Sequence, residues 1–170
     1  MSSREAAAAA PSLLDRAWRL ALCVAYRALL VWWRVVRPRT FGVAVAVWSG
    51  GRLLVVRHSY KPGSAIPAGR PRRGESPAEA AIRELREEVG LHAAPTLLRP
   101  AARIVTRDLG KEDHLQVFEL ELPEDPALAL DGREVVWAGF RTRAEALELD
   151  LETSVRAYLE GSSPDTASTV

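Results

Sequence analysis

Between Gly69 and Leu91 the chain reads GRPRRGESPAEAAIRELREEVGL, and this stretch limits what can be built around it more than any other. Gly69, Pro71 and Gly74 mark irregular backbone. Ser76-Pro77 then has the form of a helix N-cap with proline at the first helical position, and Glu79 follows three residues after the cap. Pro77 to Val89 are mostly good helix formers, and Gly90 stands where a helix C-terminus favours glycine. The spacing predicts a helix on which Glu84, Glu87 and Glu88 stand at i, i+3 and i+4, so three carboxylates share one face.

Like charges at that spacing repel by a few tenths of a kcal/mol per pair, roughly. Arg83 and Arg86 offset part of this, Arg83 through Glu87 at i+4. A divalent cation would offset more, and hard oxygen ligands suit Mg²⁺ or Mn²⁺. The same spacing also describes a solvated acidic face laced with arginines. The whole pattern separates the two. Gly-x5-Glu-x7-Arg-Glu-Leu-x-Glu-Glu-x-Gly-Leu is met by Gly69, Glu75, Arg83, Glu84, Leu85, Glu87, Glu88, Gly90 and Leu91. At ordinary residue usage such a match arises by chance with a probability below about 10⁻⁶. The stretch is the Nudix box, and the protein resembles the Nudix hydrolase family, strictly over the box and more loosely from about Thr40 to Tyr158. Just before the box, Ala68 stands where the family commonly has a glycine.

The resemblance implies a divalent-metal-dependent hydrolase that cleaves the diphosphate linkage of a nucleoside diphosphate joined to another moiety. It implies Mg²⁺ as cofactor, with Mn²⁺ as the alternative. By the same resemblance Glu84, Glu87 and Glu88 are metal ligands and catalytic residues, helped by the Gly69 carbonyl and Glu75, while Arg83 orients a box glutamate. Leu85 and Leu91 would pack the helix onto a sheet. For the general base the downstream acids Glu112, Asp113, Glu124, Asp131 and Glu134 compete with the box glutamates. Glu134 is preferred, because Glu-Val-Val-x-x-x-Phe before a short helix resembles the position where many relatives carry a glutamate. The plainer reading is an exposed strand-edge acid.

Arg70, Arg72 and Arg73 lie in the box loop, and Arg57 and Lys61 precede it. They are candidates for holding substrate phosphates, which guanidinium geometry suits; the alternative is a set of solvated cations. His58, His92 and His114 have no mutual spacing that suggests a metal or a relay, so no role is assigned to them. Thr106 and Asp108 give no ADP-ribose or dinucleoside-polyphosphate signature. ADP-ribose, other nucleotide sugars, oxidised nucleoside triphosphates and dinucleotides therefore stay open. A second reading is a Nudix-fold ligand-binding or regulatory domain with little turnover, docked to a membrane or a partner by its N-terminal helix.

That helix is expected from Pro11-Ser12 to about Val36, after a loose, alanine-rich start at residues 1–10. At 100° per residue, Arg16, Arg19, Arg27, Arg34 and Arg37 form a narrow stripe beside a wide apolar face. A transmembrane span needs about 20 unbroken apolar residues, and Arg27 interrupts this run. Arg27 also breaks any signal-peptide core, and no small-residue cleavage site follows. The remaining readings are packing on the domain itself, a homodimer seam through residues 12–37, or a peripheral membrane contact. The single cysteine, Cys23, fits a reducing compartment, so the expected location is the cytoplasm or the inner face of its membrane. A net charge of +1, with no basic patch carrying interleaved aromatics, points away from nucleic acid.

The rest of the chain reads as strands at Phe41–Trp48, Arg52–Arg57, Thr96–Val105, His114–Leu122 and Glu134–Phe140. A polar turn at Arg107–Asp113 joins the third and fourth, and helices follow at Thr142–Leu149 and Asp150–Glu160. The expected organisation is a helical extension at 1–37, a catalytic domain at 38–160 and a disordered tail at 161–170. The expected fold class is α/β with a mixed sheet, and the resemblance implies an α/β/α sandwich.

Overall fold

The computed structural model describes residues 5–161; residues 1–4, and 162–170 of the expected tail, lie outside the described residues. In chain order the elements are β1 (Glu5–Ala7), α1 (Leu13–Val36), β2 (Arg39–Ser49), β3 (Arg52–His58), β4 (Ala68–Gly69) and α2 (Pro77–Val89). A 3₁₀ turn at Pro95–Leu97 leads to β5 (Arg99–Asp108), β6 (Lys111–Leu122), β7 (Val135–Thr142), α3 (Arg143–Leu147) and α4 (Thr153–Gly161).

The strands form one mixed sheet in the order β1-β7-β3-β2-β6-β5, with β4 paired to β2. β2 and β6 run parallel, in register from Arg39 opposite Glu112 to Ser49 opposite Leu122, whereas β2–β3, β3–β7 and β5–β6 are antiparallel. The central strand β2 is apolar at every position from Val43 to Val47 because both of its faces are covered. Val43, Val45 and Val47 face a core that α2 completes with Ala80, Ala81, Leu85 and Val89. Ala44 and Ala46 face a second core closed by Ala146 of α3 and by Val155, Tyr158 and Leu159 of α4. Burying a leucine such as Leu85 contributes on the order of 1.5–3 kcal/mol, so the apolar stripe of α2 fixes where its carboxylates stand. The result is the expected α/β/α sandwich.

Several boundaries differ from expectation. Residues 5–7 are not loose: Glu5, Ala6 and Ala7 pair with Gly139, Ala138 and Trp137 of β7, and Glu5 forms an ion pair with Arg141. An alanine run carries no strand signal of its own; the partner strand supplies the pairing. The polar turn between β5 and β6 is also tighter than expected, a Leu109-Gly110 pair with φ of 51° and 83°. Two successive positive φ values are the geometry of a type I′ hairpin. β5 begins at Arg99 after the 3₁₀ turn, β7 begins at Val135, and α4 begins at Thr153.

α1 starts at Ser12, whose hydroxyl accepts from the Asp15 N–H while the Asp15 carboxylate accepts from the Ser12 N–H, a complete capping box. One narrow face of the helix seats on the domain. Asp15 pairs with Arg133 at 3.1 Å, and Arg19 donates twice to the Gly132 carbonyl at 3.1 and 2.6 Å. Further along, Tyr26 meets Tyr60 edge-on at 5.7 Å, and buried Trp33 lies under the Lys111 ammonium at 4.4 Å. Packing on the domain is thus present, and it uses a mixed face. No helix among the described residues is long and apolar enough to cross a membrane.

Candidate active site

The loop from Arg70 to Glu75 folds over the start of α2, and Ser76 caps the helix through the capping box with Glu79. Pro77 fills the first turn, and Gly90 ends the helix with φ of 72°. These local rules place Glu84, Glu87 and Glu88 on one face, as the spacing predicts.

Arg83 organises the cluster. Its guanidinium donates from Nε and Nη2 to Glu75 at 2.9 and 3.0 Å, and from Nη1 to Glu84 at 2.7 Å and to Glu87 at 3.1 Å. A fifth bond runs from Nη2 to the Arg70 carbonyl at 2.9 Å. All five donors of the fork are used, with the side chain only 10 % exposed. Its hydrogen bond to Glu75, ahead of those to Glu84 and Glu87, pushes the Arg83 pKa up. The same hydrogen bond, helped by the Arg72 N–H, holds the Glu75 carboxyl down at about 2. For Glu84, burial outweighs the Arg83 contact and raises the carboxyl above its usual range.

Glu88 has a different environment. Its side chain is 5 % exposed, and burial pushes the carboxyl up to about 8, with the Lys61 charge and an Ala68 backbone hydrogen bond opposing it and the Glu134 and Asp131 charges adding to it. His58 Nε2 stands 3.7 Å from Oε1, too far for a hydrogen bond, and the other oxygen, Oε2, is buried with no protein partner. Burial lowers the His58 pKa to about 4, so at neutral pH the imidazole is uncharged and gives Glu88 no cation. His58 meets Tyr60 edge-on at 5.5 Å, and Tyr60 meets Tyr26, which connects the site to α1.

Glu134 stands near enough to the cluster for the Glu84 and Glu87 charges to act on its carboxyl. The Asp131 carboxylate accepts from the Glu134 and Val135 N–H groups and fixes the turn. Glu134 is half-buried, and burial, then the Asp131 charge, then Glu84 and Glu87 raise its pKa. Of the other acids considered from sequence, Glu112 and Asp113 sit on β6, bonded to Arg107 and His114 and to Thr40 and Lys111.

Among the cations, Arg72 binds Glu87, both contacts at 3.3 Å, with its side chain 65 % exposed; Arg70 and Arg73 are exposed on the loop. Arg57 is not brought to the box. It stacks over Trp137 at 4.9 Å, with Arg141 at 4.9 Å as well, on the sheet face opposite α2. Because Leu54 and Val56 face α2, strand alternation turns Arg57 away. Lys61 forms an ion pair with Glu152 at 2.6 Å. Beside it a cavity of about 360 Å³ opens between α1, the β5–β6 hairpin and α4, lined by Tyr26, Thr106, Asp113 and Glu152 among others, and the box glutamates do not line it.

The donor set fits a hard divalent cation: three carboxylates on one rigid face, one of them buried with an unpartnered oxygen. Among the described residues no three His, Cys, Asp or Glu side chains converge as a ready-made metal cage. The reason is visible in the hydrogen bonds. Glu84 and Glu87 turn toward Arg83, and Glu88 turns inward toward His58.

The model of the NUDIX domain family matches residues 37–160. No curated protein matches the chain. Among solved structures, a MutT NUDIX hydrolase from Burkholderia pseudomallei superposes with a TM-score of 0.64 at 18 % identity, covering 74 % of this chain and 98 % of that one. The MutT protein from Methanosarcina mazei Go1 gives 0.64 at 20 %, covering 74 % and 94 %. The NUDIX domain of Shewanella oneidensis NrtR, solved with ADP ribose, gives 0.62 at 14 %, covering 72 % and 87 %. At these identities the likeness is one of fold.

Proposed function

Because the chain belongs to the NUDIX domain family, we propose that it is a divalent-metal-dependent hydrolase cleaving the diphosphate linkage of a nucleoside diphosphate joined to another moiety. The observation that carries this reading is Glu88, a buried carboxyl with an unpartnered oxygen on the face it shares with Glu84 and Glu87. Burying an acid in that position costs stability, and a cation bound at its unpartnered oxygen would offset that cost.

On this reading Glu84, Glu87 and Glu88 hold Mg²⁺ or Mn²⁺, with the Gly69 carbonyl and Glu75 in support. Such an ion neutralises phosphate charge and lowers the pKa of water. The chain's own groups do the rest. Arg83 positions Glu84 and Glu87, and Arg70, Arg72 and Arg73 draw the phosphates to the loop by charge. Glu134 takes the proton of the attacking water as its oxygen bonds to phosphorus and the bridging P–O bond breaks. The substrate is a nucleotide-type small molecule, in keeping with the ADP ribose bound to the related NrtR domain.

A ligand-binding domain with little turnover is the second reading. One observation favours it: the Arg83 guanidinium already satisfies Glu84 and Glu87. Chromatographic detection of the phosphate-ester products from a panel of ADP-ribose, nucleotide sugars, nucleoside triphosphates and dinucleotides, with Mg²⁺, Mn²⁺ or chelator, decides between them. Metal-dependent turnover that Glu88→Gln loses is the expected result. Nucleotide binding without turnover on any of them would transfer the assignment to the second reading.

A further inference from the structure

The seat of α1 uses a minority of its surface. At 100° per residue, an arc of roughly half the helix circumference contains only Leu, Val, Ala and Trp over the whole length Leu13–Val36. Its large side chains are exposed, among them Leu13 at 83 %, Val35 at 78 %, Leu20, Val31, Trp18 and Trp32. At 1.5 Å per residue this makes an apolar strip about 36 Å long. Contiguous apolar surface of that extent marks an interaction site.

The charges beside the strip identify what it meets. Arg16, Arg27 and Arg34 line one margin, exposed. α1 itself carries one acid, Asp15, and that acid is paired with Arg133. A second copy of the helix laid on this face would bring apolar surface but no carboxylate for the three arginines. An anionic bilayer supplies both partners, acyl chains for the strip and headgroup phosphates for the margin. Trp18 and Trp32, half-exposed within the strip, have the amphipathic rings that settle at the headgroup level.

We propose that the outer face of α1 lies in the interface of an anionic lipid bilayer and makes this a peripheral membrane protein. The surface is separate from the box, so its test reads partitioning and not turnover, and it stands or falls independently of the hydrolase assignment.

The test uses the full chain, sedimented with extruded vesicles of phosphatidylcholine alone or of phosphatidylcholine with 30 % phosphatidylglycerol, roughly the charge of an anionic leaflet. The expected result is at least about tenfold stronger partitioning onto the anionic vesicles, weakened by 0.5 M salt, which shortens the screening length to about 4 Å. Leu20→Glu with Val31→Glu should abolish it without changing the circular dichroism spectrum, since both side chains point away from the domain. Arg16→Gln, Arg27→Gln and Arg34→Gln together should remove the preference for anionic lipid. Three results would overturn the proposal: folded protein left in the supernatant with both vesicle types, equal partitioning onto both, or a concentration-dependent dimer that Leu20→Glu with Val31→Glu breaks while vesicles bind nothing.

Discussion

Gly69 lies against Glu84 so closely that a β-carbon at position 69 would overlap the Glu84 carboxylate. Position 69 therefore takes glycine for space: its φ is not among the positive values of the chain. A strand residue 15 positions upstream thus sets where a helix carboxylate can stand.

Gly69→Ala should displace Glu84 while β4 keeps its two-residue pairing with β2. An ångström of misplacement at such a site costs on the order of 10²-fold in rate. A loss of about that size in kcat/KM, with a weaker apparent metal affinity and an unchanged circular dichroism spectrum, is expected. Wild-type metal affinity in the alanine variant would show that the crowding is relieved elsewhere.

Glu88 predicts an unusual pH dependence of stability. Its folded pKa, about 8, lies above the ordinary value of 4.5, so the folded protein holds a proton that the unfolded chain releases. The stability contributed is complete below pH 4.5 and is lost as pH rises through 8. His58 acts in the opposite sense: its folded value of about 4 lies below 6.5, so stability is lost as pH falls from 6.5 toward 4. Between pH 6.5 and 8, in chelator, Tm should therefore fall as pH rises, and Glu88→Gln should flatten the slope. Parallel slopes in the two proteins would remove Glu88 as the cause.

On the proposed metal site, Arg83 and a metal ion would compete for the same carboxylates. Arg83→Ala strands Glu75, Glu84 and Glu87 together, so Tm in chelator should drop by several degrees. Added Mg²⁺ should then raise Tm by more in the variant than in the wild type, because the cation replaces the lost guanidinium. An equal or smaller Mg²⁺ response would mean that the ion and the arginine do not share ligands.

Arg72→Ala with Arg73→Ala tests the loop cations. Losing two exposed charges that attract phosphate should raise KM by about tenfold, the equivalent of roughly 1.4 kcal/mol, with kcat within about twofold and metal dependence intact. An unchanged KM would leave these residues as solvated charges, with Arg72 serving only to pair with Glu87.

The box was readable because its logic is local: a cap, a helical period and a terminating glycine place three carboxylates without help from the rest of the fold. Arg83–Glu87 follows from i+4 spacing, whereas the bonds to Glu75 and to the Arg70 carbonyl need the loop to close over the helix. His58 shows the opposite limit. It lies 30 residues before Glu88, and only the pairing of β3 within the sheet brings the two together. Arg57 lies away from the box for a reason the sequence itself contains: its neighbours Leu54 and Val56 share the parity that faces α2, which leaves Arg57 on the other side. Strand β1 gave no signal because alanines form a strand there only when β7 offers an edge.

That short strand changes how α1 behaves. With β1 hydrogen-bonded to β7 before it and β2 entering the sheet after it, the helix is moored at both ends, like a bar bolted across a frame. It cannot swing out as a tethered arm would. Anything the helix lies against therefore meets the whole domain in a single pose, with Tyr26 held against Tyr60 and the glutamate face of α2 kept at a constant bearing. Removing residues 1–37 would do more than delete a contact surface: it would strip the outer strand from β7 and open a raw sheet edge to self-association.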